Sequence, residues 1–175
     1  MNAPLLLALQ DRLVSEGWGV LRFNFRGIGE SGGESGDGIP EVADAEGALA
    51  SARERWPSLP LAVGGWSFGG AVAVRVAARG SGIAAVATVA PAITPTPGIT
   101  AGVPPASEID LACPALVVCG ANDKQVSPAD CRAWADAVEG ADYIEVPGAN
   151  HFFWGKYEQL AGIVSDWLNG AAPPG

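Results

Sequence analysis

The chain has 175 residues, of which 49% are hydrophobic and 17% charged, with 24 glycines and 14 prolines. A chain of this length can bury a hydrophobic core without disulfides or metals, and its composition excludes disordered and fibrous proteins. Ten Lys and Arg residues against nineteen Asp and Glu residues give a formal net charge of −9, which repels a phosphate backbone, so we expect no nucleic-acid partner.

The first half of the chain predicts two helices separated by a strand and a long loop. Leucines recur at helical spacing near the start, an aromatic and β-branched segment follows, and a glycine-rich stretch precedes Pro40 and an Ala-rich segment. Such patterns are typical of a helix, a strand, a loop and a second helix. In chain order we expect a helix over 2–16, a strand over 18–25, a loop up to 38 and a helix over 40–56.

The second half alternates short apolar runs with helical segments, and such runs are typical of parallel strands covered on both faces. We expect strands at 61–65, 83–89, 115–119 and 143–146, helices at 67–79, 128–138 and 152–168, and an irregular segment at 91–105. Alternating strands and helices at this spacing predict an α/β fold with a mostly parallel sheet and helices on both faces. No linker or repeat divides the chain, so we expect a single domain over 1–175.

The three cysteines, Cys113, Cys119 and Cys131, lack the paired spacing of a zinc site. We therefore expect reduced thiols in a cytoplasmic protein. The apolar run Leu5–Leu9 is too short to span a membrane and follows no basic residue, so it predicts neither a membrane partner nor an export signal.

The pentapeptide Gly65-Trp66-Ser67-Phe68-Gly69 lies between an expected strand and an expected helix. Glycines on both sides of the serine allow a sharp turn that lifts its hydroxyl off the sheet edge. The N–H groups that begin the next helix point to the place where an oxyanion would form. Ser67 is therefore the candidate nucleophile of a nucleophile elbow, while a glycine-rich turn without a function would show the same pattern.

Two further loops carry the residues that a serine nucleophile needs. Asp123 follows the strand at 115–119, and His151, the only histidine, follows the last strand. The serine needs an imidazole to take its proton, and the imidazolium needs a fixed carboxylate. Asp123 could instead stabilise a turn and His151 could be structural, although Ser127 already provides the cap of the next helix. The order Ser67, Asp123, His151 is that of one hydrolase architecture and differs from chymotrypsin and subtilisin.

The loop after the first expected strand contains Gly27–Gly32, which matches the pattern G-x-G-x-x-G of dinucleotide sites. In such sites the last glycine opens a helix whose N-terminus holds the pyrophosphate. Here an acidic loop over 33–38 follows, so we predict a loop without a cofactor. Trp66, beside Ser67, either lines a pocket or packs in the core.

Four groups of residues spread over the chain form a combined signature. They are Leu21–Gly27 with Gly29 and Ser31, then Gly65–Gly70, then Gly120 with Asp123, and finally Gly148 with His151–Phe153. Together they resemble the α/β-hydrolase superfamily, and in detail its small, cap-less bacterial branch related to the dienelactone hydrolases. The resemblance implies Ser67 as nucleophile, His151 as base, Asp123 as acid and the N–H of Phe68 as one oxyanion donor. It implies no metal and no organic cofactor.

The front of the chain departs from that resemblance. In α/β-hydrolases two or three strands, and a loop that supplies the second oxyanion donor, precede the helix equivalent to 2–16. The strand just before that helix normally lies between those equivalent to 18–25 and 61–65. We therefore expect either that this is an N-terminally abbreviated form or that the start has been placed late. Without the preceding strand, the strands at 18–25 and 61–65 would either pair directly or leave a gap. An exposed sheet edge would also allow an oligomer to form.

The leading hypothesis is a carboxylesterase-like serine hydrolase that cleaves a small or medium acyl ester through a catalytic triad and an acyl-enzyme. Its partner would be a small-molecule ester. Because the segment 91–105, where many relatives insert a lid, is short, we expect no lid domain and an open site. The alternative is a non-catalytic or very weakly active binding or structural module that lacks half of the oxyanion hole.

Overall fold

In a computed structural model of the chain, residues 3–80, 82–95 and 101–173 are described and form helices around a parallel sheet. In chain order the elements are α1 (Pro4–Ser15), α2 (Glu41–Arg55), β1 (Ala62–Trp66), α3 (Phe68–Ala77), β2 (Ala85–Val89), β3 (Ala115–Gly120), α4 (Pro128–Asp136), β4 (Ala141–Val146) and α5 (Tyr157–Ala171). A short 3-10 turn, Ala106–Glu108, precedes β3. Among the described residues, no helix combines the length and the apolar character needed to cross a membrane.

The described strands form one sheet in the order β1-β2-β3-β4, and every pair is parallel. All residues of β2 and β3 are buried, as the unbroken apolar runs predicted. Because each connection returns to the same end of the sheet, the carboxyl ends of the four strands lie along one edge. The predicted α/β class is confirmed.

Helices cover both faces of this sheet, and alternate residues of β2 show how the faces are divided. Ala87 and Val89 pack in the cluster formed by α1 and α5, whereas Val86 packs in the cluster formed by α2 and α3. A third cluster joins α3 and α4 over β3. This alternation follows from the two-residue period of a strand.

Residues 18–25 do not form the predicted strand. Their aromatic side chains are packed, with Trp18 against the α1 and α5 cluster and Phe23 and Phe25 against the α2 and α3 cluster. The only described strand that pairs with β1 is β2. Of the two alternatives for 18–25 and β1, direct pairing therefore does not occur in the described residues. A strand needs a neighbour for its backbone hydrogen bonds, and β-forming side chains alone do not provide one.

The last helix begins later than predicted. It starts at Tyr157 rather than Phe152, because Phe153 and Gly155 have φ angles of 52° and 72°, which a right-handed helix does not allow. Apart from 18–25, the other predicted helices and strands are found with each end within two residues of its expected position. The described parts of the irregular segment, 91–95 and 101–105, contain no helix or strand, and 96–100 lie outside the described residues.

Two carboxylates of α2 hold the glycine-rich loop that precedes it. The buried Glu41 accepts hydrogen bonds from the backbone N–H groups of Gly36 (2.6 Å) and Gly38 (2.9 Å). Asp44 accepts from both the backbone N–H and the guanidinium of Arg26, at 2.9 and 2.8 Å. The hydrogen bond from Arg26 holds the pKa of Asp44 below its usual value. The G-x-G-x-x-G segment lies in this loop and no helix follows it before Glu41, as predicted.

The three cysteines are free and buried. A hydrogen bond with Cys119, together with burial, raises the pKa of Cys131, and burial raises the pKa of Cys113. Because the thiolate is the reactive form, these shifts disfavour Cys113 and Cys131 as nucleophiles. In the part of the chain that the structure describes, no group of His, Cys, Asp or Glu side chains is arranged to hold a metal ion.

Candidate active site

Ser67 occupies a sharp turn between the end of β1 and the start of α3. Its φ of 54° and ψ of −117° are unusual for a residue with a side chain, and such conformations are found where the surrounding structure enforces them. The backbone N–H of Ser67 donates to the carbonyl of Val89 (2.9 Å), and its carbonyl accepts from Gly70 (3.0 Å) and Ala92 (3.1 Å). The turn is therefore bonded to β2 and to the chain that follows it.

Two glycines make this turn possible because they leave space for the neighbouring backbone. A Cβ at Gly65 would overlap the carbonyl of Gly69, and a Cβ at Gly70 would lie 3.1 Å from the Cα of Pro91. The first glycine is thus required by close packing across the turn. The second allows α3 to approach the chain that leaves β2.

The structure brings together the three side chains that the sequence singled out. Nδ1 of His151 lies 2.8 Å from Oδ2 of Asp123, and Nε2 of His151 lies 3.1 Å from Oγ of Ser67. These distances are within hydrogen-bond range. His151 and Asp123 are buried, with 4% and 8% of their surfaces exposed. Since the side chains follow β1, β3 and β4, the common edge of the parallel sheet accounts for their meeting.

The hydrogen bonds of Asp123 define the orientation of the imidazole. Burial raises the pKa of this carboxyl, but hydrogen bonds from His151 and from the backbone N–H groups of Val126 and Gln125 outweigh it and leave the pKa below its usual value. Asp123 is therefore ionised at neutral pH and can only accept hydrogen bonds. Nδ1 of a neutral His151 must then carry the proton, which leaves the lone pair of Nε2 free to accept from the Ser67 hydroxyl.

The loop of Asp123 and the loop of His151 are bonded to each other. The backbone N–H of Asn122 donates to the carbonyl of Ala149 (2.8 Å), and that of Ala121 donates to Val146 (3.0 Å). A Cβ at Gly120 would lie 2.5 Å from the carbonyl oxygen of Ala149, so the close approach of the loops requires glycine there. The loops that carry Asp123 and His151 are thus held together by backbone hydrogen bonds.

Trp66, for which the sequence left two alternatives, contacts the histidine directly. Its indole N–H donates to the carbonyl of His151 (3.0 Å), and the two rings lie 5.5 Å apart. Its ring is partly buried against the α1 and α5 cluster. Core packing is therefore found, whereas the ring is not among the described walls of the cavity that adjoins Ser67.

Phe68 is the first residue of α3, where backbone N–H groups lack acceptors within the helix. Its ring meets that of Phe25 edge to face at 5.4 Å, which anchors the start of α3 to the segment 18–25. The N–H of Phe68, next to Ser67, is thus at the N-terminal end of a helix dipole, where a negative oxygen is stabilised.

A small cavity opens beside Ser67 and His151. Its volume is about 60 Å³, and its walls come from these two residues, from 92–94 after β2, and from 125–127 and Asp130 after β3. Substrate groups in open α/β sheets bind at this end of the strands. The cavity therefore adjoins the hydroxyl of Ser67, which is hydrogen-bonded to His151 and, through it, to Asp123.

Comparison with known proteins places this geometry in a family. A family model described as serine aminopeptidase, S33, matches residues 5–109. The chain belongs to this family. The family is one of serine hydrolases in the α/β-hydrolase superfamily, so the resemblance inferred from the sequence markers is confirmed at the level of the superfamily.

Three relatives are similar in sequence to this S33 family member, and two of them have solved structures with the same fold. An α/β serine hydrolase homologue from Coxiella burnetii is 29% identical with a TM-score of 0.84, covering 96% of this chain and 77% of that chain. XC6422 from Xanthomonas campestris, described as a serine hydrolase without a lid, is 26% identical with a TM-score of 0.81, covering 99% of this chain and 76% of that chain. Uncharacterized protein RP471 of Rickettsia prowazekii is 29% identical, covering 96% of this chain and 72% of that protein.

Several features of the site in this S33 family member were not named from the sequence. They are the cavity walls at 92–94 and 125–127, the hydrogen bond from Trp66 to the His151 carbonyl, and the ring of Trp154 near the histidine loop. The position of the wall segments directly after strands was a usable signal. No local pattern reports the direction of an indole N–H or the stacking of neighbouring rings.

Proposed function

We propose that the protein cleaves a small or medium acyl ester, with Ser67 as nucleophile, His151 as general base and Asp123 as the orienting acid. The observation that carries the proposal is the unbroken hydrogen-bond chain from Ser67 through His151 to Asp123, with distances of 3.1 and 2.8 Å. This is the arrangement that converts a weak hydroxyl nucleophile into a reactive one.

The first half of the reaction forms an acyl-enzyme. Oγ of Ser67 attacks the ester carbonyl carbon while its proton moves to Nε2 of His151, and the ionised Asp123 stabilises the imidazolium. The carbonyl oxygen becomes an oxyanion, to which the N–H of Phe68 donates. The C–O bond then breaks, and the leaving alcohol takes the proton from His151.

The second half releases the acid. A water molecule gives its proton to Nε2 of His151 and attacks the carbonyl carbon of the acyl-enzyme. The bond to Oγ of Ser67 breaks, and Oγ recovers the proton from His151. Ester and water are thereby converted to carboxylic acid and alcohol, and the enzyme returns to its first state.

The chemistry of the cavity favours an ester over a peptide with a free N-terminus. An aminopeptidase must hold the terminal ammonium of its substrate, which requires fixed carboxylates. Apart from the triad members, the one ionisable side chain among the described cavity walls is that of Asp130, which is exposed to solvent. The match to a hydrolase family and the similarity to a serine hydrolase without a lid also favour a catalytic function over a non-catalytic binding or structural module.

A fluorophosphonate probe tests the proposal, because it reacts covalently with an activated serine. We expect labelling at Ser67, located by peptide mass spectrometry, and hydrolysis of p-nitrophenyl acetate that Ser67→Ala abolishes without a large change in melting temperature. An aminoacyl p-nitroanilide should be cleaved far more slowly than the ester. A wild-type protein that is neither labelled nor active would support the non-catalytic module instead.

A further inference from the structure

Three aromatic side chains, Trp66, Phe152 and Trp154, form a continuous surface beside His151, which we call the aromatic shelf. The ring of Phe152 meets the imidazole edge to face at 5.5 Å and meets the ring of Trp66 at 5.7 Å. The ring of Trp154 stacks on Phe152 at 5.1 Å with an angle of 14° between the planes. The shelf therefore runs outward from the reactive base to the surface.

The exposure of Trp154 is unusual for so large a side chain. It is 67% exposed, more than any other exposed large hydrophobic residue that the structure describes. The others, such as Val14 and Leu59, are aliphatic. A ligand that covers this ring would gain hydrophobic free energy, and the ring stacks on Phe152, which itself contacts His151.

The cavity beside Ser67, whose described walls include none of the three shelf residues, limits which part of a substrate can enter it. Its volume of about 60 Å³ is only a few times the roughly 10–15 Å³ that a cavity needs to hold one water molecule. It suits a small acyl group better than an aromatic ring. We therefore expect a bulky group of the substrate to lie outside the cavity.

The chemistry of the leaving group places it near the shelf. The leaving oxygen takes its proton from Nε2 of His151, so the group bonded to that oxygen lies beside the imidazole. Phe152 contacts this imidazole and begins the exposed part of the shelf. We propose that the aromatic shelf binds the planar aromatic leaving group of a short-chain acyl ester. This proposal rests on the proposed function and specifies its substrate class.

Aromatic rings are suited to this place because they can continue the existing stack. Ring pairs prefer offset-stacked or edge-to-face arrangements with centroids about 4.5–7 Å apart, which are also the spacings within the shelf. A benzyl or phenyl group over Trp154 would have such a partner on a flat, exposed ring. It would bind equally in the ground and transition states, so its effect should fall on KM rather than kcat.

Three esters test the proposal. Benzyl acetate has its ring on the alcohol, its isomer methyl phenylacetate has the ring on the acyl group, and cyclohexylmethyl acetate has a non-planar ring on the alcohol. We expect the wild type to prefer benzyl acetate to both. Trp154→Ala should lower kcat/KM for benzyl acetate by about three- to tenfold, mainly through KM, with a smaller effect on cyclohexylmethyl acetate.

Two further variants separate binding from structure. Trp154→Phe should retain most of the preference for benzyl acetate, because it keeps a planar ring. Val14→Ala removes an exposed hydrophobic side chain from α1 and should leave all three rates unchanged.

The outcomes distinguish the shelf from the proposed function. An unchanged ratio of benzyl to cyclohexylmethyl rates in Trp154→Ala, or a wild-type preference for methyl phenylacetate, overturns the shelf while the hydrolase stands. The same holds if none of the three esters is cleaved although p-nitrophenyl acetate is hydrolysed and the fluorophosphonate labels Ser67. Absence of both cleavage and labelling overturns the proposed function itself.

Discussion

The turn that carries Ser67 and the paired loops that carry Asp123 and His151 meet at the hydrogen bond between Ser67 and His151, and they differ in the contacts that matter most for their geometry. The turn depends on close approach of backbone, since a Cβ at Gly65 would overlap Gly69. The loops depend mainly on polar contacts, such as the N–H of Asn122 on Ala149 and two N–H groups on Asp123. Each region also shows the other kind of contact, because Ser67 makes backbone hydrogen bonds and Gly120 closely approaches Ala149, but of the two regions only the loops hold a buried carboxylate.

This difference predicts two kinds of effect for substitutions at the site, on folding stability or on the rate of reaction. A larger side chain in the turn must displace backbone, so its cost appears as lost stability. Replacing Asp123 by its isosteric amide keeps the volume and most loop contacts but removes the charge that the imidazole needs. We therefore expect substitutions in the turn to reduce folding and substitutions in the loops to reduce rate.

The largest effect is expected for Asp123→Asn. The amide cannot balance the imidazolium or enforce the proton on Nδ1, and a comparable change in a serine protease lowers kcat by about 10⁴. The melting temperature should change little. Asp136→Asn, at the exposed end of α4, is the matched control and should keep full activity. A loss of less than tenfold for Asp123→Asn would show that another group orients His151.

The second effect concerns the turn. Gly65→Ala places a methyl group on the Gly69 carbonyl, and we expect it to cost about 3 kcal/mol of unfolding free energy. Gly47→Ala in α2, where a Cβ would meet nothing within 4 Å, should be neutral or stabilising. Urea unfolding of both variants measures the difference. Equal stability of the two variants would mean that the turn relaxes without cost.

The sequence correctly predicted the elements whose formation depends on their own side chains. It gave a wrong prediction where the formation of an element depends on a segment far away in the chain. Strands β2 and β3 have apolar runs that require cover on both faces, and both were found. Residues 18–25 have equally β-forming side chains, but whether a strand forms depends on a neighbouring backbone that local sequence does not specify. The late start of α5 depends on the positive φ of Phe153, and a phenylalanine in a sequence does not predict a positive φ.

The candidate site was more predictable than the fold around it. Ser67, Asp123 and His151 each follow a strand, and a parallel sheet brings such positions to one edge, so strand order was enough to predict their meeting. The aromatic shelf was not predictable in this way. Its stacking depends on the turn at 152–156, where the sequence had predicted a helix.

A third prediction joins the two regions, because Trp66 is the last residue of β1, next to the turn, and its indole donates a hydrogen bond to the histidine loop. Trp66→Phe keeps a ring but removes the N–H that donates to the His151 carbonyl. A misplaced base lowers the rate, and we expect about a tenfold fall in kcat. Trp134→Phe removes a similar bond to Pro104, which lies outside the site. It should lose comparable stability with unchanged kcat, and an equal rate loss in both variants would contradict a positioning role for Trp66.

The smallest effect concerns Asp44, a carboxylate in neither region. Its folded-state pKa lies below the ordinary 3.8 because Arg26 donates hydrogen bonds to it. A lowered pKa means that the folded state favours the charged form, so this contribution to stability is complete above about pH 5 and is lost as the pH falls through the lowered value. We expect Asp44→Asn to cost about 1 kcal/mol at pH 6. Because protonation removes the same charge from the wild type, the difference in melting temperature between the two proteins should shrink steadily from pH 5 to pH 3. A constant difference over that range would show that Asp44 acts through its shape and not through its charge.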